Sequence, residues 1–455
     1  MPNIDAVVAE LTPHVAGRVI VPADAEYDAA RRVHNGLIDR HPAVIVRCRG
    51  TADVQAAVRT AREHGLDISV RGGGHNVAGN AVSNGGLVID LSTMRGVQVD
   101  PAARRVRAQG GATWADFNRE TQLYALATTG GVVSTTGIGG LTLGGGIGWL
   151  MGTHGLAVDN LRAATLVTAA GDVLHVDEGE HADLFWAIRG GGGNFGVASW
   201  LEYATHPVGP MVTGGLVAHP FAAARDVLHY YRDLTAALPD EFTAFGGLLH
   251  APDGSGAKLV AIIVCHTGSL EAGARAVEPI KRFGQPVMDA IGPMPYSVVN
   301  TLFDAGFPAG ALNYWKANFL SALTDHAIDA MIDRFAACPS PMTGMLLEHF
   351  HGAATRVAPA ATAFPHRAPG YNLLIAGEWM DPATTDTNIA WTRETYTAMA
   401  PHYASGRYAN YLNAEEVGAD DAVAAAFGPN LARLREIKRR YDPDNVFHHN
   451  QNIRP

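Results

Sequence analysis

Apolar and polar positions divide the chain into two textures. In the first 210 residues, short apolar runs alternate with one clear amphipathic helix. "AVIVRCRG" (43–50) reads as a buried strand. "TADVQAAVRTAREHG" (51–65) places Val54, Ala57, Val58 and Ala61 on one helical face, with Thr51 as cap and Gly65 as stop. "LDISVRGGG" then returns as a second strand, which makes a βαβ unit. Further strands are predicted at 86–91 and 104–111, a helix at 113–124, and a hairpin over 161–176 turning at Ala-Gly-Asp. "DLFWAIRGGGGNFGVAS" starts as a helix and breaks into glycines before the strand "VASWLEYATHPV". Beyond "HPVGP" the segments lengthen, and strands alternate with helical excursions through 211–414. That pattern predicts an α+β fold with a largely antiparallel sheet flanked by helices. "DDAVAAAFGPNLARLREIKRRYDPDNVF" reads as one helix halted by Pro443.

Glycine changes this picture. The 51 glycines cluster at 72–79, 130–148, 190–196 and 244–256. Glycine at positive φ lets several backbone N–H groups converge on one anion. "RGGGHN", directly after a strand, is therefore a candidate phosphate cradle or a plain tight turn. "TTGGVVSTTGIGGLTLGGGIGWL" (128–150) holds nine glycines in 23 residues and almost no charge. Buried backbone of this kind needs hydrogen-bond partners, and a large flat ligand with polar edges would supply them. The two loops could hold the two ends of a dinucleotide. No GxxxxGK[ST] occurs, and the GxGxxG match at 191–196 follows a helix with no βαβ continuation, which argues against a nicotinamide site.

A chain of 455 residues with 47% apolar and 17% charged residues fits a soluble protein of two domains. Its net charge of −10, with no basic stripe, argues against nucleic acid. Three scattered cysteines argue against disulfides or a zinc site. The pair His448–His449 gives no metal expectation either, because adjacent imidazoles on an extended tail point in opposite directions. The N-terminus lacks an apolar signal core, and no apolar run reaches membrane-spanning length, so a cytoplasmic location with no membrane partner is expected. The oligomeric state is left open.

"RGGGHNVAG", "GIGGLTLGGGIGWLMGTHGLAVDNLRAATLVTAAGDVLHV", "DLFWAIRGGGGNFGVAS" and "YANYLN…FGPNLARLREIKRRYDPDNVFHHNQNIRP", in that order, resemble the berberine bridge enzyme-like branch of the vanillyl-alcohol-oxidase (PCMH-type) flavoproteins. The resemblance is strong over about 40–210 and 400–455 and weak between them. It implies an FAD-binding domain formed by 1–210 and a return segment 415–455, with a substrate domain at 211–414 whose sheet covers the flavin. It implies FAD bonded through its 8α-methyl to His75, which gives the histidine after the glycines a purpose. It assigns Arg71, Gly72, Gly73, Gly74, Asn76 and Gly79 to the cofactor from the first loop. From the second loop it assigns Thr135, Thr136, Gly137, Gly140, Ile147 and Gly148, and from elsewhere Val197, Asn413 and Asn450. Many relatives add a cysteinyl link; here Val133 occupies that position, so a single covalent link is expected. Val77, Leu141 and Ile147 make the expected site more apolar than in sugar-oxidising relatives. Thr136 stands where relatives gate oxygen, and its valine-like shape favours an oxidase over a dehydrogenase or a non-catalytic flavin carrier.

Hydride loss from a carbon bearing O–H or N–H needs a base nearby. In relatives it is often a tyrosine in an "NYxN" element, here Tyr411, with Asn413 beside it. A free tyrosine has pKa ≈ 10, so a cation such as Lys316, or the flavin itself, must lower it. Alternation puts Asn372 and Leu374 on one face of their strand, and Asn372 stands where some relatives have a carboxylate. In "LLEHFHG" Glu348 and Phe350 share one face, and His349 and His351 the other. Tyr314 is a further candidate substrate contact. The expected reaction is oxidation of a small, fairly apolar alcohol or amine, with O2 as second substrate.

Overall fold

The computed structural model describes residues 3–417 and 419–455. Three sheets organise it. The first runs Arg18–Ile20, Val44–Arg47, Leu87–Asp90, Ile68–Arg71, and its last three strands are parallel. Leu87–Asp90 inserts between the two strands of the predicted βαβ unit. The helix Thr51–Glu63 buries Val54, Ala57, Val58 and Ala61 against it, as the spacing predicts, and ends before Gly65 at φ +65. Its cap position is Gly50 rather than Thr51, whose hydroxyl instead donates to Ser199.

The second sheet is antiparallel: Val97–Asp100, Arg105–Gln109, Val197–Ala204, Leu161–Val167, Val173–Asp177. The helix Trp114–Thr121 packs beside it, started by a capping box in which Thr113 and Asp116 satisfy each other's backbone N–H.

The third sheet has eight strands, all paired antiparallel. Its main order is Met288–Asp289, Met211–Pro220, Lys258–His266, Phe242–His250, Gly344–Phe350, Gly370–Trp379, Leu312–Leu320. One face packs on the helices Ala224–Thr235, Asp325–Ala336 and Thr385–Met399 through Leu228, Ile328, Met331, Leu347, Leu373 and Ile375. Each such side chain contributes about 1.5–3 kcal/mol on burial. Strand alternation sends the neighbours Leu346, Glu348, Leu374 and Ala376 to the opposite face, toward the glycine loops.

The C-terminal segment forms two helices, Asp420–Phe427 and Leu431–Tyr441, not one. Gly428 at φ +47 followed by Pro429 breaks them. The tail beyond is stitched to the glycine segment at 190–196: Asn194 Nδ2 donates to the Gln451 carbonyl, and Ile453 N–H donates to Asn194 Oδ1 at 2.9 Å. Among the described residues no helix is long and apolar enough to cross a membrane.

Candidate active site

An open cleft runs between the glycine loops and the free face of the large sheet. Gly72, Gly73, Gly74, His75, Asn76, Thr136, Gly137, Gly140, Ile147 and Asn450 all line it. At their closest the two loops meet backbone to backbone: a Cβ on Gly73 would come within 2.4 Å of Gly137 N, and one on Gly137 equally close to Gly73 N. Gly140 and Gly193 face open space, where a Cβ would meet nothing within 4 Å. Asn450 Oδ1 and His34 Nε2 are buried polar atoms without hydrogen-bond partners among the described residues. A long, backbone-walled groove with unsatisfied polar atoms suits a dinucleotide.

His75 sits between two supports. Its ring stacks on His34, with centroids 3.7 Å apart, and its Nε2 lies 3.1 Å from Thr135 Oγ1. Burial, reinforced by His34, lowers its pKa to about 3, so the imidazole is neutral. Val133 and Leu141 line the cleft, and Val77 packs beside it on Trp315 and Leu374.

The opposite wall is mostly apolar. Trp315, Phe307, Leu346 and Leu374 surround Glu348 and Tyr411. Tyr411 Oη donates to Glu348 Oε1 at 2.9 Å, and Asn372 Nδ2 donates to Glu348 Oε2 at 2.6 Å. Burial pushes the Glu348 carboxyl up to about 7, with the two donors working against the rise. Burial, then the charge of Glu348, raises Tyr411 well above its ordinary value. Tyr411 is placed by the turn Ala409–Tyr411, where Tyr408 Oη accepts the Gly146 N–H at 2.9 Å and Asn410 Nδ2 donates to the Leu141 carbonyl. The loop carrying Tyr411 is thereby bolted to the second glycine loop.

Other expected site residues lie elsewhere. Tyr314 points to the far face of its strand, where its hydroxyl donates to Glu415 and accepts from Arg393. Alternation explains this, since Trp315 takes the cleft side. Lys316 shares that far face and pairs with Glu416 at 2.9 Å, so it is not the cation beside Tyr411. Asn413 is turned from the cleft, donating to the Trp315 carbonyl and accepting from Glu415 N–H. Asn372 stands behind Glu348 as its hydrogen-bond donor. Arg71 braces the first loop through the Ala30 carbonyl, and Gly79, at φ +71, closes its turn. Gly148 packs on Gly130, and Val197 is a buried strand residue paired with Val167. Glu348 is the group that sequence alternation placed on the right face without marking it as reactive. Its tie to Tyr411 joins residues 63 positions apart, and no local pattern announces such a pair.

Residues 42–177 match the FAD-binding domain family and 407–454 the berberine and berberine-like family. The chain is 32% identical to the (R)-6-hydroxynicotine oxidase of Paenarthrobacter nicotinovorans over 97% of both chains. It is 28% identical to the xylooligosaccharide oxidase of Thermothelomyces thermophilus over 92% of this chain and 89% of that one. A crystal structure of 6-hydroxy-D-nicotine oxidase from Arthrobacter nicotinovorans superposes with a TM-score of 0.87 at 31% identity, covering 97% of this chain and 98% of that one. A variant of berberine bridge enzyme in complex with (S)-reticuline shares the fold, with a TM-score of 0.88 at 22% identity over 99% and 98% of the two chains. The glycine-walled cleft and these likenesses agree: the chain is an FAD-binding enzyme and belongs to the berberine bridge enzyme-like, PCMH-type FAD-linked oxidoreductases.

Proposed function

We propose that this protein is an oxidase that carries FAD on His75 by a single covalent bond and oxidises a small, fairly apolar amine or alcohol, releasing H2O2. The buried Glu348–Tyr411 pair, a hydrogen-bonded ionisable couple in a mostly apolar wall facing the glycine loops, carries this reading. Residues 1–210 and 415–455 hold the cofactor, and 211–414 supply the substrate wall.

With Nε2 engaged by Thr135, Nδ1 of the neutral His75 is the nitrogen left to bond the flavin. Val133 in place of a cysteine supports one link rather than two. The bound flavin supplies the hydride acceptor, with O2 as its reoxidant. Ionised Glu348 draws the Tyr411 proton along their hydrogen bond, and Tyr411 Oη takes the N–H or O–H proton of the substrate. Its raised pKa makes tyrosine a relay rather than a resting base. Asn372 fixes the carboxylate, and Trp315, Leu346 and Leu374 exclude water. The relative named for 6-hydroxynicotine supports an amine as substrate.

Acid precipitation of the purified protein tests the cofactor bond. Yellow colour retained in the pellet, a mass raised by one FAD, and loss of both in His75→Ala are expected; flavin left in the supernatant would overturn the covalent reading. Peroxide release on exposure to cyclic amines and benzylic alcohols tests the chemistry.

A further inference from the structure

Asp67, His448 and His449 converge at the edge of the cleft, which His449 itself lines. Asp67 precedes the strand Ile68–Arg71, which leads straight into Gly72–His75. The two histidines follow a tight turn, not an extended tail. Asp442 accepts the Val446 N–H at 2.7 Å and the Phe447 N–H at 2.9 Å. Buried Lys438 pairs with Asp442 at 2.6 Å and donates to the Phe447 carbonyl. Asn445 takes the turn at φ +53. This frame sends both imidazoles the same way, with centroids 4.7 Å apart and planes 34° apart.

His448 Nε2 lies 3.6 Å from one Asp67 oxygen, and His449 Nε2 lies 3.8 Å from the other. These separations are too long for direct hydrogen bonds. They approach the roughly 3.3 Å edge between ligand atoms that each sit about 2.0–2.1 Å from one tetrahedral ion. The tautomer is suited to this. His448 Nδ1 lies 2.9 Å from the Asn445 carbonyl, which fixes the proton there and leaves the Nε2 lone pair outward. His449 Nε2 is buried without a hydrogen-bond partner among the described residues. Arg40 is the opposing charge nearby; its guanidinium is turned to the carbonyls of Gly79 and Val82, at 2.9 Å each.

We propose that Asp67, His448 and His449 bind one borderline divalent transition-metal ion, zinc by ligand chemistry, through a carboxylate oxygen and two Nε2 atoms, with water completing the shell. The ion is structural. It ties the tail, whose Asn450 and Gln451 line the cleft, to the strand that feeds the His75 loop.

The test uses the FAD-loaded protein stripped with EDTA and equilibrated by dialysis against low-micromolar Zn2+, with bound zinc counted by emission spectrometry. One zinc per chain and a zinc-dependent rise in melting temperature are expected. Asp67→Asn and His448→Ala each weaken binding at least tenfold and remove that rise, while keeping the parent's FAD content. Asp67 is exposed, so Asp67→Asn decides the matter if His448→Ala folds poorly. Equal zinc in parent and Asp67→Asn, or none in the parent, overturns the site and leaves a water-bridged ion pair.

Discussion

Two buried glutamates on the same face of the large sheet have opposite surroundings. Glu348 and Glu378 are both almost fully enclosed, and desolvation raises both carboxyls, to about 7 and about 8. Glu348 accepts from Tyr411 and Asn372 and lines the cleft. Glu378, at the other end of the neighbouring strand beside Asn313, has no partner for either oxygen among the described residues. Burial alone raises a carboxyl and leaves it without a neighbour to exchange a proton with. Burial with two donors, one of them Tyr411, places a raised carboxyl on a hydrogen bond that leads into the cleft.

The largest expected effect comes from removing the acid that has partners. Glu348→Gln lowers kcat/KM by about 10²–10⁴-fold with flavin content unchanged, read by the rate of flavin reduction under any substrate the parent oxidises. Tyr411→Phe lowers it by about 10²-fold, and the double variant is little worse than Glu348→Gln, because the two act as one relay. Independent losses that add up would break the comparison.

A smaller effect sharpens it. Flavin reduction rises with pH through about 7 as Glu348 ionises. Asn372 donates to the ionised form, so Asn372→Ala moves the midpoint to higher pH. The smallest effect is on Glu378. Its folded pKa of about 8 exceeds its ordinary carboxylate value, so the folded state holds a proton that the unfolded chain releases. Stability is therefore lost as pH rises from about 4.5 to about 8. Glu378→Gln matches the parent in melting temperature near pH 4.5, exceeds it by a few degrees at pH 9, and leaves kcat/KM within about twofold. A large loss of activity in Glu378→Gln would show that both ends of the sheet serve the reaction.

Much of the frame was readable from local pattern, because helical and strand periodicity are local. The helix at 51–63, the hairpin at 161–177 and the glycine loops stand where spacing put them. The Gly428–Pro429 dipeptide is itself a stop signal, and it divides the helix that periodicity alone reads as continuous. Residue type makes Tyr314 a candidate substrate contact and Lys316 a possible cation for Tyr411, yet the parity of their strand gives the cleft face to Trp315. The Glu348–Tyr411 pair was out of reach for a different reason: it exists only after the sheet and the 408–411 turn have met. Sequence likewise offers no means of telling Glu348 from Glu378, since both sit in apolar strands.

The stitching of residues 451–453 onto Asn194 has a consequence for synthesis. One wall of the cofactor groove is made of chain that leaves the ribosome only after the entire substrate sheet. That side of the groove therefore forms only after the sheet it faces, and a cofactor is gripped from both sides once residues 451–453 have docked on Asn194. A substitution that loosens this docking bears on cofactor capture before it bears on turnover.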